Sequence, residues 1–180
     1  MGLLDKWNQR INLTSIKDTV QLVTTLFAES FYATTLLGPL DSPILDVGSG
    51  AGFPGMAMKL YRPDREMILL EPRKKRSAFL SMVSRELGLS GVNVWTRTLE
   101  DCESEDFTHR PAVLTMRAVG HATELIRVAL PLLASRRKVL VFVSESQASV
   151  FGAGLPRFHW QQVPFPWNPA HLILVGQDCE

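Results

Sequence analysis

The sequence predicts an α/β fold, a mostly parallel sheet with helices on both faces and an antiparallel last strand. Three observations predict it. Short apolar runs alternate with amphipathic stretches five times, as in a parallel sheet covered on both sides. The run Leu45-Asp46-Val47 passes straight into the loop Gly48-Ser49-Gly50-Ala51-Gly52-Phe53-Pro54-Gly55, the arrangement of a strand handing over to a helix. The last two apolar runs, Arg157 to Val163 and His171 to Val175, have only a Pro/Trp-rich turn between them, so they should pair antiparallel.

Each element follows from local pattern. Val20, Val23, Phe27 and Phe31 recur at helical spacing, so a helix is expected from about Thr19 to Leu37, stopped by Gly38-Pro39. Pro43 to Val47 reads as the first strand, Phe53 to Tyr61 as a helix ended by Arg62-Pro63, and Glu66 to Glu71 as the second strand. Lys74 to Leu87 is an amphipathic helix with Phe79, Leu80, Val83 and Leu87 inward and Gly88 as its stop. Val92 to Thr96, Ala112 to Met116 and Val139 to Val143 supply three more strands. A helix from His121 to Leu133, burying Leu125, Ala129 and Leu132, separates the last two.

The 180 residues suit one domain, with a helical part over 1–38 and a core over 43–176. A net charge of +1 does not by itself demand a nucleic-acid partner, so any such binding needs a local patch. Cys102 and Cys179 form no CxxC and no His/Cys cluster, which argues against structural zinc and a disulfide framework; no metal is expected. No apolar run is long enough to span a bilayer, and the start lacks a signal peptide's pattern. Lys6 stands where a myristoylation motif wants Ser or Thr. The chain reads as a soluble cytoplasmic protein without membrane attachment, and the lack of heptads makes a monomer the default.

Gly50, Gly52 and Gly55 spell GxGxxG behind a strand, and an acid, Glu71, ends the next strand. Glycine lets backbone approach a ligand closely, and an acid at that second position accepts from ribose hydroxyls. A nucleoside-containing cofactor is therefore expected, either NAD(P) or S-adenosyl-L-methionine. Asp46 favours the second. A carboxylate there repels a pyrophosphate, yet it can orient the loop or receive the ammonium of a methionine moiety.

Trp7 to Ile16 (WNQRINLTSI), Ile44 to Gly55 (ILDVGSGAGFPG), Lys74 to Leu80 (KKRSAFL), Arg85 to Leu89 (RELGL) and Arg117-Ala118-Val119 occur in that order. Together they resemble the ribosomal small-subunit methyltransferase G family, also called glucose-inhibited division protein B. The resemblance implies a Rossmann-like S-adenosylmethionine-dependent methyltransferase fold. It also implies methylation of N7 of a guanosine in 16S rRNA, with 16S rRNA or the small ribosomal subunit as partner. It places Gly48 and Phe53 against the cofactor, Ser49 and Gly50 in the shaping of the loop, and Leu99-Glu100 beside the adenine. Arg117 and Arg97 match basic positions near the cofactor and substrate mouth, the expected catalytic pair. N7 of guanine carries a lone pair and no proton, so transfer needs alignment and no general base. Such orientation can account for ~7 kcal/mol or more of a barrier. Arg117→Ala is expected to lose turnover while the fold persists.

Three departures are visible. The family's longer N-terminal helical region is nearly absent, since Trp7 comes almost at once; either the chain is trimmed or its RNA-binding face is reduced. Leu26 stands where the family usually has a histidine. Val143-Ser144-Glu145-Ser146 stands where it has a lysine-containing segment, which should weaken RNA binding. Arg73 to Arg76 opposes the dipole of the helix it opens; phosphate contact and a solvated face are both open readings. Asn12-Leu13-Thr14 is expected to cap or pack the first long helix, Trp160 and Trp167 to pack beneath the last strands, and Arg136-Arg137-Lys138 to form a solvated loop. The four histidines, His109, His121, His159 and His171, are scattered, which suits surface or packing roles.

Overall fold

In the computed structural model, residues 2–148, 151, 155 and 157–178 are described; Cys179 lies outside them. Seven strands form one sheet: β1 (Ile44–Val47), β2 (Met67–Leu70), β3 (Val92–Trp95), β4 (Val113–Arg117), β5 (Lys138–Ser144), β6 (Phe158–Phe165) and β7 (Asn168–Asp178). Their spatial order is β3-β2-β1-β4-β5-β7-β6. The first five pair in parallel, and β7 runs antiparallel between β5 and β6. This matches the expected class, including the antiparallel end.

Alternation along the strands builds two cores. Leu45, Val47, Ile68 and Leu70 face one side, where Ile126 and Ala129 of α6 (Ala122–Ala129) cover them. Ile44, Met67 and Leu69 face the other. There they meet Met56 and Met58 of α4 (Gly55–Tyr61) and Phe79, Leu80 and Val83 of α5 (Lys74–Glu86). The N-terminal α1 (Gly2–Ile11), which carries no strong local start or stop signal, packs on this second face through Trp7, 5.8 Å from the Phe79 ring centroid. Its stability rests on that packing more than on propensity.

The expected first long helix is divided. α2 (Thr19–Leu22) runs into a π-helical segment, Val23–Ala28, and then α3 (Glu29–Thr34). The wider π turn rotates the helix about its axis. The buried face is therefore Leu22, Leu26, Ser30, Ala33 and Thr34, with Glu29, while Val20 and Val23 are exposed despite their helical spacing. Phe27 and Phe31 stay half-buried, against Phe53 and Tyr61. Asp18, not Asn12 or Thr14, caps α2, its Oδ1 accepting from the Gln21 N–H at 2.7 Å. Leu13 packs in the core as expected.

Other boundaries shift for local reasons. α4 begins at Gly55 because Gly52 and Phe53 both turn back to the Ser49 carbonyl. Leu87 is exposed because it lies past the last turn of α5, which Gly88 closes at φ 61. Pro131 lacks the N–H that an α-helix needs, so the stretch after α6 tightens into a 3₁₀ turn, Leu130–Leu132. Arg136-Arg137-Lys138 is no solvated loop. Arg137 Nε donates to Asp178 at 2.6 Å, and Lys138, already in β5, pairs with Asp41 at 2.7 Å. A short α7 (Glu145–Ala148) follows β5. Trp160 lies over Gly176, the residue it pairs with across β6 and β7, whereas Trp167 is partly exposed.

A Cβ on Gly176 would lie 2.7 Å from the Trp160 ring. Gly176→Ala should therefore displace that ring and destabilise the chain by about 1–3 kcal/mol, measured by denaturant unfolding, with the sheet retained in far-UV circular dichroism.

Candidate active site

β1 and β4 are neighbours, yet the chain leaves them toward opposite faces of the sheet. The gap between their carboxyl ends is the switch point where such sheets take ligands. A cleft of about 350 Å³ lies there. The loop after β1 forms one wall with Gly48, Ser49, Gly50 and Phe53; Glu71 and Arg73 after β2 form another; Arg117 at the end of β4, with Ala118 and Val119 beyond it, closes the third. Leu13, Thr14 and Leu26 of the N-terminal region line the remaining side.

The glycines are required where they stand. Gly48 has φ 72, and a Cβ there would sit 2.9 Å from Val119 across the cleft. At Gly55 a Cβ would lie 2.5 Å from Asp46 Oδ2. Asp46 itself is fully buried beneath the loop, off the cleft wall. Its Oδ2 accepts from the Gly55 N–H at 3.1 Å, and Ser49 Oγ donates to the Asp46 carbonyl at 3.0 Å. Of the two roles open to Asp46 from sequence, this geometry carries loop orientation, not contact with an ammonium. Burial pushes its carboxyl up to about 7, against the lowering effect of the Ser49 and Gly55 hydrogen bonds and of Arg117.

Glu71 fills the acidic position at the cleft. Its Oε2 accepts from the Gly50 N–H and its Oε1 from the Arg73 N–H, both at 2.9 Å. Each carboxylate oxygen has a second lone pair for a hydroxyl donor. One acid thus ties the two loops together and presents acceptors to the cleft. Backbone with no side chain in the way, a carboxylate at the second strand's end and an apolar Phe53 wall suit a nucleoside with an attached chain.

Arg117 stands at the far wall. Its Nη1 donates to Glu29 Oε2 at 2.8 Å and to the Thr25 carbonyl at 3.0 Å, and its guanidinium lies over the Phe142 ring, 4.1 Å from the centroid. Burial pulls the guanidinium below its ordinary value, opposed chiefly by Glu29. Arg97, Leu99 and Glu100 are elsewhere. Arg97 pairs with Asp106 at 2.9 Å and lies over Trp95, Leu99 is buried in the core, and Glu100 is exposed. The loop after β3 folds down onto the core through Leu99 and Phe107, which holds all three off the cleft wall. Glu29 and His171 were not singled out from sequence as site residues. Neither belongs to a local motif, and 142 positions separate them. Among the described residues no group of three metal-ligating side chains gathers, and no helix is long and apolar enough to cross a membrane.

The sheet and its helices take a Rossmann-like fold, one shared with solved methyltransferases. A SAM-dependent methyltransferase from Aquifex aeolicus superposes with TM-score 0.68 over 93% of this chain and 97% of that one, at 13% identity. A methyltransferase from Geobacter sulfurreducens gives TM-score 0.68 over 99% and 87%, at 12% identity. The sequence narrows the class. The GidB family model, rRNA small subunit methyltransferase G, matches residues 1–151. The Ribosomal RNA small subunit methyltransferase G of Wolinella succinogenes is 37% identical over 144 residues, 80% of this chain and 72% of the relative. That of Roseiflexus castenholzii is 39% identical over 131 residues, 72% and 56% of the two lengths. The chain belongs to the rRNA small subunit methyltransferase G family, and it spans little more than half the length of some relatives.

Because Asp46 is harder to ionise in the folded chain, ionisation favours unfolding as pH rises through the window from its ordinary value, 3.8, to about 7. Each unit of that displacement corresponds to about 1.4 kcal/mol. Asp46→Asn should flatten this part of the stability profile, gaining on the parent chain from about pH 4 to about pH 7 in urea unfolding. Parallel profiles would mean that Asp46 ionises freely.

Proposed function

We propose that this chain transfers the methyl group of S-adenosylmethionine to N7 of a guanosine in 16S ribosomal RNA, in the cytoplasm. The observation that carries the reading is the cleft in which Glu71, the Gly48–Gly50 backbone and Arg117 converge, in a chain of this family. When bound, the cofactor supplies an activated methyl on a sulfonium. Glu71 accepts from the ribose hydroxyls, Gly48 and Gly50 let main chain lie against the ligand, and Phe53 provides an apolar wall. Asp46 holds the loop from below. Arg117, between the cleft and the acceptor side, orients the incoming nucleotide through its guanidinium. No residue needs to take a proton, because N7 has none to give. The chain's task is alignment.

A second reading, a cofactor-binding relative with a changed acceptor, is favoured by the segment after β5. Here Ser144 and Gln147 offer neutral hydrogen-bonding groups, and Glu145 opens α7.

Purified protein with radiolabelled cofactor and small subunits from a strain lacking its own N7 methyltransferase should yield labelled 7-methylguanosine in 16S RNA. Cofactor binding by calorimetry without label would select the second reading. Glu71→Ala should weaken cofactor binding at least about tenfold, the scale of lost charge-assisted hydrogen bonds. Arg117→Ala leaves the buried Glu29 with Asn168 and His171 but no guanidinium, and the structure revises the expectation for it to a loss of about 3 kcal/mol of stability alongside turnover. Pairing Arg117→Met with Glu29→Gln should recover most of that stability and none of the activity.

A further inference from the structure

A second cavity of about 260 Å³ adjoins the cofactor cleft, and Leu26, Arg117 and Ala118 are common to both. Its other lining includes Glu29, Phe142 and His171. Glu29 is 1% exposed and holds three partners. Oε2 accepts from Arg117 Nη1 at 2.8 Å; Oε1 accepts from Asn168 Nδ2 at 3.0 Å and lies 3.0 Å from His171 Nδ1. A carboxylate only accepts, so the proton of that last contact sits on Nδ1.

Arg117 is less well served. Two of its nitrogens, Nε and Nη2, are buried without a hydrogen-bond partner. A guanidinium beside a carboxylate ordinarily takes the two-point fork. Here it takes one point, because Asn168 and His171 occupy the oxygen that would complete the fork. The guanidinium is thereby kept over Phe142, on the wall shared by the two cavities.

We propose that His171, contributed by β7 outside the segment that matches the family model, is a positioning residue that acts through Glu29 to hold Arg117 in this one-point geometry. The inference rests on the methyl-transfer reading and names the device that sets its acceptor side. Removing the imidazole leaves Asn168 on Oε1 and opens that oxygen's other lone pair to Nη2, and the guanidinium leaves Phe142 for the fork.

The test compares His171→Phe and His171→Gln, whose amide can still donate to Glu29, in methyl transfer to small subunits. His171→Phe should lower kcat/KM for the RNA about tenfold, the scale of one hydrogen bond to a charged group, with calorimetric cofactor affinity unchanged. His171→Gln should restore most of the loss. In an Arg117→Lys background, which offers no fork, His171→Phe should add little. Equal losses in both backgrounds, or wild-type turnover by His171→Phe, would overturn the inference while leaving the activity itself standing. The Arg117 Nε–H signal in ¹⁵N spectra gives a reading that needs no activity. It should move in His171→Phe and return toward its original position in His171→Gln; an unmoved signal refutes the device even if the parent chain transfers no methyl.

Discussion

The pairing of β1 with β4 is the constraint on which the site depends. Both strands run the same way, but β1 passes into α4 on one face and β4 into α6 on the other. No connection crosses the gap between their carboxyl ends, so a cleft opens there without any side chain being excavated. Everything the site uses hangs on that gap: the glycine loop from β1, Glu71 from β2 and Arg117 from β4. The N-terminal helices then roof it, bringing Leu13 and Leu26 to its edge and Glu29 to Arg117.

Buried charge organises the roof and the floor. Asp46 below the loop and Glu29 beside Arg117 are both nearly inaccessible; Asp46 is held by the Gly55 N–H nine positions on, and Glu29 by donors from distant parts of the chain. Removing water from such groups is unfavourable unless hydrogen bonds replace it. Asp46 receives one N–H and is held close to neutrality by burial. Glu29 receives a cation, an amide and an imidazole. The contrast separates a group that shapes a loop from one that fixes a charge. Ala118, in left-handed backbone at φ 52 between the two cavities, shows that local strain is tolerated at the same wall.

The fold was legible because its signals are local. Alternating apolar runs, the glycine loop and Gly88 declare strands and turns within a few residues of themselves. The errors came where packing overrides periodicity. Val20 and Val23 repeat at helical spacing, but the π segment turns them outward, and no local pattern announces a π turn. α1 and the four-residue α7 lacked sequence signals for the complementary reason that contacts elsewhere hold them. In the site, Gly48, Ser49, Gly50, Phe53, Glu71 and Arg117 line the cleft. Arg97, Leu99 and Glu100 do not, because the loop after β3 folds onto the core through Leu99 and Phe107.

By itself, then, the sequence determined the strand–helix alternation, the antiparallel end, the glycine loop and the family. These rest on interactions between residues close along the chain. The tertiary structure decided which way each polar group points. Asp46 turned under its loop, Arg97 turned to Asp106, and Arg117 joined Glu29, Asn168 and His171 in one network. Those partners lie up to 142 positions apart, and only the closing of the sheet and its helical roof brings them within hydrogen-bond distance.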